Sequence, residues 1–227
     1  MTGADERREA VIFKIRKALG TYDSAPRRAA VAGRLAAPPP PLVPERAKRR
    51  RDELRSLFRR FLEGQSATVV EAAGAAEVPA AIGRYLRSAN LPLRVRVGDD
   101  AYLDRLPWAS EPALERRRGR AEAEDEVGLS RATVAVAETG TLVLASGADN
   151  PVTVTFLPET SVVVVREEDL VGGYEGAWER IRARFGAGAM PRTVNFVSGP
   201  SRSADIGGQL VMGAHGPRRL CVILVRG

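Results

Sequence analysis

The sequence predicts an α/β protein: an open, mostly parallel sheet with helices on both faces, preceded by an N-terminal helical arm. Three observations carry that prediction. Residues 67–97 run strand, helix, strand, a βαβ unit whose strands lie parallel beneath the helix. Residues 161–165, Ser-Val-Val-Val-Val, form a continuous β-branched run, the mark of a strand buried on both faces. Residues 193–197 and 220–225 add two apolar strands, with a helix expected between them.

The elements follow in chain order. Residues 5–19 place Val11, Ile12, Ile15, Ala18 and Leu19 at helical spacing, and Gly20 suits the stop. Residues 21–44 read as a linker ending in four prolines, Pro38 to Pro41, a stiff spacer. Residues 45–62 carry Leu54, Leu57, Phe58, Phe61 and Leu62 on one helical stripe. These pieces are expected to form the arm, residues 1–64, with the α/β domain over 65–227. In the domain, residues 77–88 place Val78, Ala81, Ile82, Tyr85 and Leu86 on one helical face, and residues 93–97 alternate with period two. Residues 110–126 are strongly charged and suit an exposed helix or a loop. Residues 133–137 and 141–145 are β-rich around Glu138-Thr139-Gly140, and residues 178–185 form an amphipathic helix.

With 44% hydrophobic and 28% charged residues among 227, wholesale disorder is excluded, and no uncharged run of about 18 residues exists for a membrane span. The start has no apolar signal region, so a cytoplasmic address is expected. One cysteine, Cys221, excludes a disulfide framework, a Cys-ligated zinc and a self-contained iron–sulfur cluster. The net charge of +7 points at first to polyanions. Residues 1–60, however, hold 16 Lys+Arg against 7 Asp+Glu, and residues 61–227 hold 19 against 21. Neither aromatic interleaving nor a nucleic-acid motif accompanies Lys48-Arg49-Arg50-Arg51, which reads as a solvated helix face. No nucleic-acid partner is expected.

The densest group of chemically useful residues runs from Ser198 through Gly199, Pro200, Ser201, Arg202, Ser203 and Ala204 to Asp205, where a β run meets turn formers and is expected to pass into a helix. Ligands of open α/β sheets collect outside the carboxyl ends of strands. Backbone N–H groups of a Gly/Ser loop approach an anion closely, a helix N-terminus adds partial positive charge, and Arg202 can grip a carboxylate or phosphate bidentately. The plainer reading is a serine-capped β–α connection with Arg202 in solvent. Ser198, Gly199, Ser201, Arg202, Ser203 and Asp205 are the candidate ligand-binding residues.

Glu138 is the first candidate for proton transfer, because a carboxylate at a strand end loses solvent and its pKa climbs toward catalytic use. The alternative there is an exposed tight turn with Gly140 at positive φ. His215, the only histidine, is the second candidate, against a turn role before Gly216-Pro217. No HxH, HExxH or CxxC spacing occurs, so no metal site is expected. Cys221 lies in an apolar strand and is expected to be inert.

Several of these segments together resemble the lactate-utilisation (LUD) domain family. They are Val127-Gly128-Leu129-Ser130-Arg131-Ala132, Ala137-Glu138-Thr139-Gly140-Thr141-Leu142-Val143-Leu144, Leu157-Pro158, the run from Ser198 to Ile206, and His215-Gly216-Pro217. The resemblance covers about residues 65–227. Within it Ser203 stands where threonine is usual, keeping the hydroxyl, and Gly207 stands where an acidic residue is usual. The resemblance implies a fold similar to the NagB/RpiA/CoA-transferase-like fold. It also implies a non-redox role in oxidising L-lactate to pyruvate beside two iron–sulfur partner proteins, which supply the clusters.

Two other readings stay open. One is a stand-alone CoA-transferase-like or sugar-phosphate-type enzyme using Glu138 as nucleophile or base. The other, ranked last, is a polyanion-binding module working through the basic arm. That arm reads better as a docking element for its own body, an acidic partner or a second copy in a homo-oligomer.

Overall fold

Two units separate between Leu42 and Val43 in the computed structural model, which describes residues 3–18, 20, 24–38, 40–186, 188–204 and 210–227. The first unit holds helices α1 (Gly3–Ala18) and α2 (Ala25–Ala36). Helix α1 matches the expected helix, and its Val11, Phe13 and Ile15 are each more than half exposed. Helix α2 replaces part of the expected linker. Ser24 is extended, a proline opens the first turn, and the alanine-rich stretch behind it favours helix.

The second unit begins at Val43, so the expected boundary at 64/65 falls too late. A 3-10 turn, Glu45–Ala47, leads into helix α3 (Arg51–Gly64), whose first turn is closed where Glu53 accepts the Arg50 N–H at 3.2 Å. Phe58 and Leu62 of α3 are fully buried with strand residues, which makes this helix part of the body.

Six parallel strands form the main sheet: β1 (Thr68–Ala72), β2 (Arg94–Val97), β3 (Glu115–Arg118), β4 (Val127–Arg131), β7 (Thr160–Arg166) and β12 (Arg219–Val225). Their order is β1-β12-β7-β4-β2-β3. The α/β class and the parallel sheet are therefore as the sequence predicts. Strand β3 falls in the charged stretch expected to be helix or loop; its Glu and Arg side chains are all exposed on the sheet edge, where charge discourages further pairing.

Helix α4 (Val78–Ser88) and the short α5 (Ala101–Asp104) cover one face, burying Ile82, Leu86 and Leu103 against Val95, Leu129, Val162 and Ile223. The other face meets α3 and a second sheet. That sheet contains β5 (Val134–Val136), β6 (Thr141–Ala145), β8 (Leu170–Val171) and β9 (Val194–Val197), in the order β8-β5-β6-β9. Helix α7 (Tyr174–Phe185) packs Ala177 and Ile181 on its outer side. Helices thus flank both sides, with the second sheet interposed on one. The five-residue α6 (Val152–Phe156) lies against β4 and β7.

Among the described residues no helix follows Ser198 to Ser203. The chain instead forms a hairpin, β10 (Arg202–Ala204) with β11 (Leu210–Met212). The apolar triplet Leu210-Val211-Met212 is too short for its periodicity to distinguish strand from helix. Among the described residues, no helix is long and apolar enough to cross a membrane.

Candidate functional site

The carboxyl ends of β4 and β7 carry ion pairs. Arg131 Nε donates to Asp100 Oδ2 at 2.9 Å, and Arg166 holds both oxygens of Asp169 at 2.6 and 3.0 Å. Asp100 Oδ1 meanwhile accepts the Tyr102 and Leu103 N–H groups at 2.9 Å and caps α5. The candidate loop leaves a carboxyl end too, but that of β9, in the second sheet. It therefore sits near the amino ends of the central parallel strands, opposite the end where the open-sheet rule places ligands.

Sequence-distant groups fix this loop. Ser198 Oγ and Thr141 Oγ1 are 2.7 Å apart, and Thr141 Oγ1 also lies 2.7 Å from Thr139 Oγ1 and 3.0 Å from the Tyr174 hydroxyl. Gly199 has φ of +134°, and a side chain there would meet Gln65 Cβ at 2.8 Å, so the position suits only glycine. Ser201 donates its N–H to the Pro217 carbonyl at 2.8 Å and accepts the Gly213 N–H at 2.9 Å. The Ser201 amide is thus engaged and cannot contribute to an amide cradle. Arg202 Nη2 donates to the Gln65 carbonyl and, at 2.7 Å, to Ser66 Oγ. Among the described residues its Nε and Nη1 have no partner.

Between the two sheets this loop encloses a cavity of about 280 Å³. Ser198, Gly199, Ser201, Arg202 and His215 all line it, so the structure brings together most of the residues expected to act jointly. Leu144, Val163, Phe156 and Leu220 supply apolar wall, and Phe196 stacks obliquely against Trp178 with ring centroids 5.4 Å apart. Among the described lining residues the ionisable side chains are Arg202 and His215, both exposed at the rim, and none is a carboxylate. Ser203 lies on β10 opposite Val211, outside the lining, and Asp205 lies outside the described residues.

Glu138 is not part of this lining. Its side chain is 5% exposed, its N–H bonds the Gly172 carbonyl at 3.1 Å, and Oε2 accepts from Arg46 Nε at 3.1 Å. The adjoining Gly140 has φ of +65° and packs its α-carbon so closely on α3 that a side chain would meet Phe61 Cβ at 2.8 Å. Of Glu138 and His215, His215 alone lines the cavity.

Sequence reasoning missed Arg46, the Gln65-Ser66 turn and Ser161. Only Ser161 left a signal, as a hydroxyl set directly before a run of four valines. Cys221 is fully buried in β12, and burial raises its thiol pKa, which disfavours the thiolate that metals bind. A cluster needs several thiolates, so this chain's residues do not fit one. Among the described residues no three His, Cys, Asp or Glu side chains group as a metal site.

Residues 50–225 match the LUD domain family. Similar proteins named lactate utilization protein C include one from Shouchella clausii, 38% identical over 44% of this chain and 44% of the relative. Another, from Geobacillus thermodenitrificans, is 36% identical over 52% of this chain and 49% of the relative. The matched stretch spans about half the length of these curated relatives. Among solved structures, a DUF162 family protein from Deinococcus radiodurans is 28% identical with a TM-score of 0.61, covering 78% of this chain and 99% of the other. With most of its length matched, the chain belongs to the LUD domain family.

Proposed function

We infer that this chain serves lactate utilisation as the non-redox component of a multi-protein system oxidising L-lactate to pyruvate, and that its cavity holds a small anion. The carrying observation is the charge of the cavity: among the described residues lining it, Arg202 and His215 are the ionisable side chains, amid serine hydroxyls and apolar walls. An arginine with unspent N–H groups beside hydroxyl donors favours a carboxylate or phosphate. Relatives named lactate utilization protein C direct the choice to a carboxylate. His215 lines the same cavity at its rim, which supports giving it the proton-transfer role in this reading. The two electrons released in the oxidation pass to iron–sulfur partner proteins, and the system works in the cytoplasm.

The alternative enzyme built on Glu138 has less support, because that carboxylate is buried, paired with Arg46 and away from the cavity lining. The test is affinity purification from the source cell together with deletion of the gene. Co-elution of iron–sulfur proteins and loss of growth on L-lactate are expected. Purification without such partners, with growth on lactate unchanged, would overturn the reading.

A further inference from the structure

One polar side chain interrupts the apolar inner face of β7. Ser161 is 2% exposed, in register with Gly128 on one neighbouring strand and Leu220 on the other. Strand alternation puts it on the same face as Val163 and Val165, which belong to the core between the sheets. Ser161 Oγ is buried and has no hydrogen-bond partner among the described residues, although the residue lines the cavity. Thr155, the other buried hydroxyl there, is already engaged with Ser130 at 3.3 Å and Asn150 at 3.4 Å. Buried hydroxyls are nearly always satisfied, and an unsatisfied one carries the full cost of its desolvation.

We propose that Ser161 is the inner polar contact of the cavity, and that the ligand is a short monocarboxylate carrying a second, uncharged oxygen. The carboxylate faces Arg202 at the rim, and the second oxygen reaches Ser161. A serine hydroxyl donates and accepts, so it serves both the hydroxyl of a hydroxy acid and the carbonyl of an oxo acid. Leu144, Val163 and Leu220 beside it disfavour a second carboxylate, which would be buried without a counter-charge. This inference rests on the carboxylate reading of the cavity and adds which carboxylates it selects.

Calorimetric titration of the full chain and of Ser161→Ala with L-lactate, pyruvate and propionate tests it. The parent protein is expected to bind lactate and pyruvate roughly three- to tenfold more tightly than propionate, the worth of one neutral hydrogen bond. Ser161→Ala is expected to abolish that preference while changing propionate binding by less than about twofold. Its melting temperature should be unchanged or higher, since an unsatisfied group has gone. Equal binding of all three acids by the parent, or a lactate preference that survives Ser161→Ala, would overturn the role of Ser161 and leave the carboxylate site standing. Absence of binding by any of the three would overturn both.

Discussion

Thr141 and Ser198, 57 positions apart, meet through their hydroxyls at 2.7 Å. The contact joins the turn after Glu138 to the cavity loop, and the Tyr174 hydroxyl, 3.0 Å from Thr141 Oγ1, ties both to α7. Two segments that look unrelated in sequence are thus one hydrogen-bonded unit, anchored by a threonine with no exposed surface.

Thr141→Val keeps the shape and deletes the hub of this unit. Leaving the Ser198, Thr139 and Tyr174 hydroxyls with one partner fewer is expected to cost about 1–3 kcal/mol. Urea denaturation checks the stability. Carboxylate affinity should fall as well, because the loop loses its support; an unchanged affinity would separate the network from the cavity.

Phe58 tests whether α3 belongs to the body. Phe58→Ala opens space in the core shared with Val163, Val222 and Leu224, and is expected to cost about 3–5 kcal/mol. A helix on a detachable arm would lose far less. Thermal or urea unfolding of the variant decides between them.

Much of this architecture was legible from pattern. The βαβ unit and the valine run of β7 bury side chains so completely that their periodicity reveals both class and sheet. The hairpin β10–β11 and the edge strand β3 were not legible, since a three-residue strand has no readable period and an exposed arginine strand looks like a solvated helix. The arm was misjudged because the stripe on α3 shows only that the helix docks, and gives no hint of what it docks against. The charge count changes with it: residues 1–42 hold 8 Lys+Arg against 4 Asp+Glu, and residues 43–227 hold 27 against 24. Part of the basic run is paired within the second unit, with Lys48 on Glu45 at 2.6 Å and Arg51 on the Glu167 carbonyl at 2.8 Å. Of the site, the loop and His215 were legible as turn-forming, functional residue types; the orphan hydroxyl of Ser161 emerges only once the sheets are stacked.

Glu71 gives the protein a pH dependence on the acid side. The hydrogen bond from Arg226, at the end of β12, holds its carboxyl below the ordinary value of 4.5, with Arg59 of α3 adding to the effect. A depressed carboxylate pKa stabilises the fold above the unfolded value, and that contribution is lost as pH falls through the folded value. Melting temperature should therefore drop below about pH 4.5 and drop less steeply in Glu71→Gln. The two arginines are half exposed, so the difference will be modest.

Cys221 should resist alkylation by iodoacetamide at pH 8 in the folded protein and react promptly in denaturant, because burial both shields the thiol and raises its pKa. Prompt reaction in the native state would place β12 at the surface and contradict the sheet order.

The most direct measurement of the central claim is a crystal structure of the protein soaked in L-lactate. The expected result is a carboxylate between Arg202 and the Ser198–Ser201 hydroxyls, with the lactate hydroxyl against Ser161. A cavity holding only water at saturating lactate would contradict it.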